Sequence, residues 1–333
     1  VPRRIAPVCL ALLASSLAPG CKNQDRTEAP TAASSDAIAP ELAGAIAALD
    51  EAVEAERVRV GTPAAALLVV KDGEVVFAGG YGKRGGGTKP EADVDADTVF
   101  AIGSVTKSFT AMLVMLAVEQ GALKLEDHPR TCLPEFKLAD AEADNKVTVR
   151  DLLTHRTGLG RTDLAWYAGG LTRAELLTVA SQAQPMAPLG AQTYYNNLMY
   201  VAAGECAARA LGGTYEALVA ERLLAPLGMD AATLEAASLR NAENHAQGHA
   251  RTGPDRAAMA VPVKTIDAIA PAGSINASVT TMAPWLQLML GGGAVGDTRL
   301  LSPESFERIV SPHAAMGPGV QYGLGWVLDR WRG

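Results

Sequence analysis

Apolar residues recur at helical spacing from Glu41 to about Arg57, at Leu42, Ile46, Leu49 and Val53, with charged residues between them. That period predicts one amphipathic helix. Two β-prone runs follow, 64–70 and 74–78, joined by Lys71-Asp72-Gly73. Asp-Gly tolerates the positive φ angles of a tight hairpin turn, so the two runs are expected to pair antiparallel. Within 106–120 the run from Phe109 to Val118 is apolar but for Thr110, including Met112, Leu113, Val114 and Leu116, and Gly121 follows as a stop signal. A helix without a polar face is expected to be buried all round. The segments 150–153, 173–181, 198–211, 214–224 and 280–290 also read as helical, and 321–328 returns to a β-prone strand. Sheet at both ends with helices between predicts an α+β fold, an antiparallel sheet domain flanked by helices with a large helical region inserted.

Residues 1–21 lie outside this pattern. Arg3 and Arg4 precede an apolar run from Ile5 to Leu17, and small residues then lead to Cys21. This is the layout of a secretory signal, and the run is too short to span a bilayer, which takes about 20 residues. Ala18-Pro19-Gly20-Cys21 resembles a bacterial lipobox, although Leu17 stands one position early, so Cys21 is a candidate site of membrane attachment through a lipid. Residues 22–40 hold Ala, Ser, Thr, Pro and acidic side chains with hardly any bulky apolar group, which predicts a flexible linker. The organisation expected is therefore a signal at 1–21, a linker at 22–40 and a folded domain at 41–333, in an exported bacterial protein that is periplasmic or held at a membrane. No later segment is apolar for long enough to cross a membrane.

Composition narrows the chemistry. Hydrophobic residues make up 48% and charged residues 20%, which excludes a disordered or fibrous chain. The 29 basic residues are outnumbered by 36 acidic ones and form no stripe, so nucleic acid is not an expected partner. The Gly-rich stretch 81–89 lacks the Gly-Lys-Ser/Thr order of a phosphate loop. His245 and His249 are four apart, but the neighbouring Gly and Pro argue for a loop or strand, so no metal site and no cofactor are expected. Cys132 and Cys206 read as buried free thiols, Cys206 lying in an apolar helix.

Ser104-Val105-Thr106-Lys107 opens the buried helix. Positions three apart share a helix face, so the hydroxyl and the amine can meet. A serine needs a base to act as a nucleophile, and a lysine becomes one when burial lowers its proton affinity. The helix start favours a developing alkoxide and disfavours an ammonium. Taken alone, the same residues also describe an N-cap and a surface lysine.

The surrounding residues decide between these. Phe100-Ala101-Ile102-Gly103-Ser104-Val105-Thr106-Lys107-Ser108-Phe109-Thr110 resembles the nucleophile segment of the serine β-lactamase superfamily. Three more segments agree in order. Leu152-Leu153-Thr154-His155-Arg156-Thr157-Gly158-Leu159 is similar to its Leu-Leu-x-His-x-x-Gly-Leu loop. Tyr195-Asn196-Asn197 is similar to its Tyr-x-Asn motif. Pro271-Ala272-Gly273-Ser274 resembles its Pro-Ala-Gly-Gly segment. The resemblance runs from about residue 41 onward, to the branch of class C β-lactamases, D-Ala-D-Ala carboxypeptidases, esterases and D-aminopeptidases. It implies a β-lactamase/transpeptidase-like fold and a serine hydrolase that forms an acyl-enzyme on Ser104, with Lys107, Tyr195 and Asn197 completing the catalytic set. The substrate implied is a small molecule or peptide with an amide, lactam or ester carbonyl. Tyr194 with Asn196 is the alternative frame for the third motif. In this family the histidine of the second motif belongs to a structural loop, so packing and turn hydrogen bonds are expected of His155.

One family motif has no match. Lys264-Thr265-Ile266 and His313-Ala314-Ala315 lack the glycine of the Lys/His-x-Gly strand that helps form the oxyanion hole, and Arg251-Thr252-Gly253 comes too early. The expectation is a C-terminally incomplete domain, with the last strands and helix missing, unpaired edges at 64–78 and 321–328 and reduced activity. The rival function is a non-catalytic module that binds peptidoglycan or a β-lactam in the same pocket.

Overall fold

The computed structural model describes residues 40–85, 92–251, 253 and 258–330; the expected signal, Cys21 and nearly all of the linker lie outside the described residues. The first helix, Pro40–Val60, extends slightly beyond the predicted amphipathic segment and stops at Gly61. It packs along the hairpin, where the Tyr81 hydroxyl donates to Asp50 at 2.6 Å. The hairpin strands are Ala64–Lys71 and Glu74–Gly82, paired antiparallel. Asp72 and Gly73 both take positive φ, 53° and 88°, as a two-residue turn of the twist-matched kind requires.

A short ladder then does the positioning. Phe100–Ala101 pairs with Asn276–Ala277, and Ile102 N donates to Ile275 O at 2.9 Å. These bonds hold the nucleophile segment beside the Pro-Ala-Gly segment, although the two lie far apart in the chain. Gly103, at φ 52°, turns the chain out of the ladder into a 3-10 turn, Gly103–Val105, which runs into the helix Thr106–Glu119. That helix is buried over most of its length, as its long apolar run predicts. It packs against the helices Asn197–Ala210, Ala270–Gly273 and Pro303–Val310. Phe109 stacks on Trp285 with ring centroids 3.7 Å apart, and one main hydrophobic core surrounds the whole arrangement.

The helices expected in the middle are present as Val149–Leu153, Arg173–Gln182, Asn197–Ala210 and Val279–Leu290. Capping boxes start two of them, Thr148 with Asp151 and Thr172 with Glu175. The segment 214–224 is not one α-helix. It is Tyr215–Val219 followed by a π turn, Ala220–Leu224, and a 3-10 turn, Ala225–Leu227. Pro226 lacks an N–H and cannot continue an α-helical ladder. The fold class is α+β as expected, but the strands form separate small antiparallel sheets rather than one continuous sheet among the described residues. Among those residues, no helix is long and apolar enough to cross a membrane.

Two expectations are corrected. The segment 321–328 is not one strand: Val320–Tyr322 and Val327–Leu328 pair antiparallel around a turn at 323–326. Gly325 sits in that turn at φ 78° against the nucleophile helix, where a Cβ would lie 2.7 Å from Lys107 O. Contact with the helix therefore breaks the strand. Val320–Tyr322 also pairs with Ala314–Gly317, giving a three-stranded sheet with Val327–Leu328 on its edge.

Cys132 and Cys206 are not free thiols but form a disulfide across 74 residues of sequence. The turn Pro129–Thr131 seats Cys132 beside the helix Asn197–Ala210, with the two Cα atoms 5.0 Å apart. Closing a loop of that length restricts the unfolded chain. The double change of Cys132→Ser with Cys206→Ser is expected to lower stability by about 2–4 kcal/mol. Chemical denaturation of the oxidised parent and the variant measures it; equal midpoints would show that the bond contributes nothing.

Candidate active site

The 3-10 turn Gly103–Val105 and the helix Thr106–Glu119 carry hydroxyls at Ser104, Thr106, Ser108 and Thr110, and packing commits three of them. Thr106 Oγ1 accepts from Ile275 N at 3.2 Å, Ser108 donates to Val105 O at 2.8 Å and Thr110 donates to Pro271 O at 2.6 Å. Ser104 alone is exposed, at the mouth of a cleft of about 330 Å³. Leu67, Leu68, Phe100, Met282 and Trp285 give that cleft apolar walls.

Lys107 lies one turn further along the helix and is 1% exposed. Its Nζ stands 3.1 Å from Ser104 Oγ, and donates to Asn197 Oδ1 and to Ala272 O at 2.7 Å each. Burial is the main cause that lowers its pKa from 10.5 to about 7; Asp163 opposes the change and Arg161 adds to it. Loss of water was expected to act on this lysine together with the helix start.

Tyr195 and Asn197 reach the lysine from the start of the helix Asn197–Ala210. Asn196 caps that helix, accepting from Leu198 N at 2.8 Å and Met199 N at 3.2 Å. Because Asn196 is the cap, the side chain of Asn197 is released to the site. Lys107 Nζ lies 4.7 Å from the centre of the Tyr195 ring. Burial raises the phenol's pKa and outweighs the opposing influence of Ser104, so Tyr195 stays protonated near neutral pH. Tyr194 points elsewhere, donating to Gln192 Oε1 at 2.9 Å. Of the two frames open in the sequence, Tyr195 with Asn197 is the one that faces Lys107.

His155 is buried behind the site at φ 59°, with its ring 4.3 Å from Tyr195 and 5.1 Å from Tyr200 and from Tyr322. Its Nδ1 accepts from Asn196 N at 3.2 Å. Burial first, then the charges of Lys107 and Arg161, lower its pKa to about 3, so it is neutral near neutral pH. It holds the Tyr195–Asn197 segment in place and makes no hydrogen bond to Ser104 or Lys107.

Three partners escaped the reading of the sequence. Ala272 contributes through its carbonyl, which no side-chain pattern reveals. Tyr322 reaches the site region from the terminal sheet, its hydroxyl 3.4 Å from that of Tyr200. Asp163 opens the short helix Asp163–Tyr167 and belongs to no motif, and the only local sign is the Arg161-Thr162-Asp163 charge pair. His245 and His249 lie on an isolated bridge and a two-residue strand, away from these groups.

Comparison with known proteins finds relatives across most of the chain. Penicillin-binding protein 4 of Amycolatopsis lactamdurans is 30% identical over 298 residues, covering 85% of this chain and 75% of that protein. An unguisins hydrolase of Aspergillus campestris is 25% identical over 290 residues, and the match spans 80% of this chain but 52% of that protein. Among solved structures, the octameric penicillin-binding protein homologue from Pyrococcus abyssi aligns with a TM-score of 0.74 and 26% identity, over 85% of this chain and 64% of its own. A D-stereospecific amidohydrolase from Streptomyces sp. aligns with a TM-score of 0.70 and 27% identity, over 86% and 84%. The family model named Beta-lactamase matches residues 48–333, which takes in the nucleophile helix, Tyr195, Asn197 and the Pro-Ala-Gly segment. This chain belongs to the Beta-lactamase family of serine hydrolases.

Proposed function

We propose that this chain hydrolyses an amide, lactam or ester by forming an acyl-enzyme on Ser104. One observation carries the reading. A neutral lysine amine has two N–H bonds and one lone pair. Asn197 Oδ1 and Ala272 O, both at 2.7 Å, take the two N–H bonds. The lone pair is then directed at the remaining neighbour, Ser104 Oγ, at 3.1 Å. With its pKa lowered to about 7, Lys107 is largely available as that neutral amine at mildly alkaline pH.

In this reading Ser104 Oγ attacks the carbonyl carbon as its proton passes to Lys107 Nζ. The negative charge that develops lies at the positive end of the nucleophile helix. Tyr195, whose phenol is protonated, gives its proton to the leaving group as the scissile bond breaks and takes in its place the proton held on Lys107. Water then gives a proton to Lys107 as it attacks the ester on Ser104, and that proton passes to Ser104 Oγ as the acid product leaves. The relatives support the class of chemistry, since the names of two of them are hydrolase and D-stereospecific amidohydrolase.

The test is the pH dependence of kcat/KM on a p-nitrophenyl ester, with a chromogenic cephalosporin and a D-aminoacyl amide run in parallel. Activity is expected to rise through an acid limb near pH 7, where Lys107 loses its proton, and the limb is expected on each substrate that turns over. A limb near pH 4 to 5, the ordinary carboxylate range, would assign the base to another group. Saturable binding of all three with no turnover and no covalent adduct would reject hydrolysis.

A further inference from the structure

Asn197 is held from both ends. Its Oδ1 accepts from Lys107 at 2.7 Å, and its Nδ2 donates to Asp163 Oδ1 at 2.9 Å. Asp163 Oδ1 also accepts from Trp166 Nε1 at 3.0 Å, and Oδ2 accepts from Arg161 Nε at 2.6 Å. Burial acts to raise the Asp163 carboxyl's pKa, but the hydrogen bonds from Arg161, Trp166 and Asn197 outweigh it, so Asp163 is ionised.

An ammonium at Lys107 would by itself favour the Asn197 carbonyl. The mechanism, however, requires the neutral amine, and a neutral amine accepts as well as donates. A free amide could then turn over and donate Nδ2–H to the lysine lone pair. That bond would occupy the electron pair that must take the proton of Ser104. Ionised Asp163 accepts only, and it claims Nδ2 in either protonation state of Lys107. We propose that Asp163 is the positioning residue of this site, locking the Asn197 amide so that the Lys107 lone pair stays free for Ser104. This inference rests on the acyl-enzyme reading above.

The same carboxylate acts on the lysine through space. The groups facing Lys107 are the rings of Tyr195 and Tyr200, neutral His155, and the charged pair Arg161 and Asp163. Asp163 favours the ammonium and Arg161 opposes it. Removing the Asp163 charge therefore moves the titration of Lys107 to lower pH, whereas a merely structural role leaves it in place.

Asp163→Ala and Asp163→Asn separate the two effects, because the asparagine carbonyl still accepts from Asn197. The measurements are ester kcat and KM, the rate of fluorophosphonate labelling at Ser104, and the Lys107 titration followed by 13Cε-lysine NMR. The resonance is assigned by its absence in Lys107→Met. Asp163→Ala is expected to lose about 10–100-fold in kcat with KM changed by less than about threefold. Asp163→Asn is expected to regain most of that loss, and both variants to shift the Lys107 midpoint down by about one pH unit. Wild-type kcat in Asp163→Ala, or an unmoved midpoint with Asp163→Asn as impaired as Asp163→Ala, would overturn the proposal alone. A wild-type chain that is not labelled at Ser104 would overturn the acyl-enzyme reading and this inference with it.

Discussion

Ser104→Ala is expected to abolish covalent labelling of the chain by a fluorophosphonate or a penicillin probe, and to lower ester turnover by about 10⁴-fold or more. The expectation follows from how packing distributes the hydroxyls of the nucleophile helix. Ser108 and Thr110 donate to carbonyls, Thr106 accepts from Ile275 N, and Ser104 alone is exposed beside the buried amine. No neighbouring hydroxyl can take over without giving up its own partner. Since Ser104 is exposed, its replacement is expected to leave stability within about 0.5 kcal/mol of the parent. Intact-mass measurement of the labelled protein decides the matter: an adduct that persists in a folded Ser104→Ala chain would place the nucleophile elsewhere.

Lys107→Met is expected to cost about 10²–10⁴-fold in turnover, the contribution of a positioned proton acceptor. Methionine fills a similar volume, so the loss reads out chemistry rather than packing. Stability carries a second signature with a defined sign. The pKa of Lys107 is lowered from 10.5 to about 7 in the folded chain. Between these values the unfolded chain binds a proton that the folded chain does not, so wild-type stability rises as pH increases from 7 toward 10.5. Below pH 7 both states are protonated and the penalty of the buried ammonium is felt in full. The variant lacks this dependence, while all other titrating groups are common to both proteins and cancel in the difference. Denaturant midpoints of the two chains across this range provide the test. Parallel pH dependences would show that the lysine titrates as an exposed one does.

The fold was legible where one stretch of chain carries its own instructions. Asp72-Gly73 announces a turn because few residues tolerate two successive positive φ angles, and the apolar run after Thr106 announces a buried helix because it offers no face to water. The strand expected at 321–328 failed for the opposite reason. Its break depends on Gly325 meeting the backbone of Lys107, more than two hundred residues earlier in the chain. The disulfide was missed for the same kind of reason, since nothing near Cys132 or Cys206 records that a turn and a helix would bring them together.

The site divides along the same line. Ser104 and Lys107 can be paired from spacing alone, because three residues along a helix is a fixed distance. Tyr195 and Asn197 entered only because four motifs stood in a known order, and the choice of frame waited for the observation that Asn196 caps the helix while Tyr194 faces Gln192. By itself the sequence determined most of the local elements, the family resemblance and the pairing of Ser104 with Lys107. The tertiary structure decided the surroundings of that lysine. Its proton affinity falls because packed segments exclude water from it, and its amine is held by acceptors 90 and 165 residues away, Asn197 Oδ1 and Ala272 O. Desolvation and hydrogen-bond geometry belong to atoms that meet only when the chain is folded.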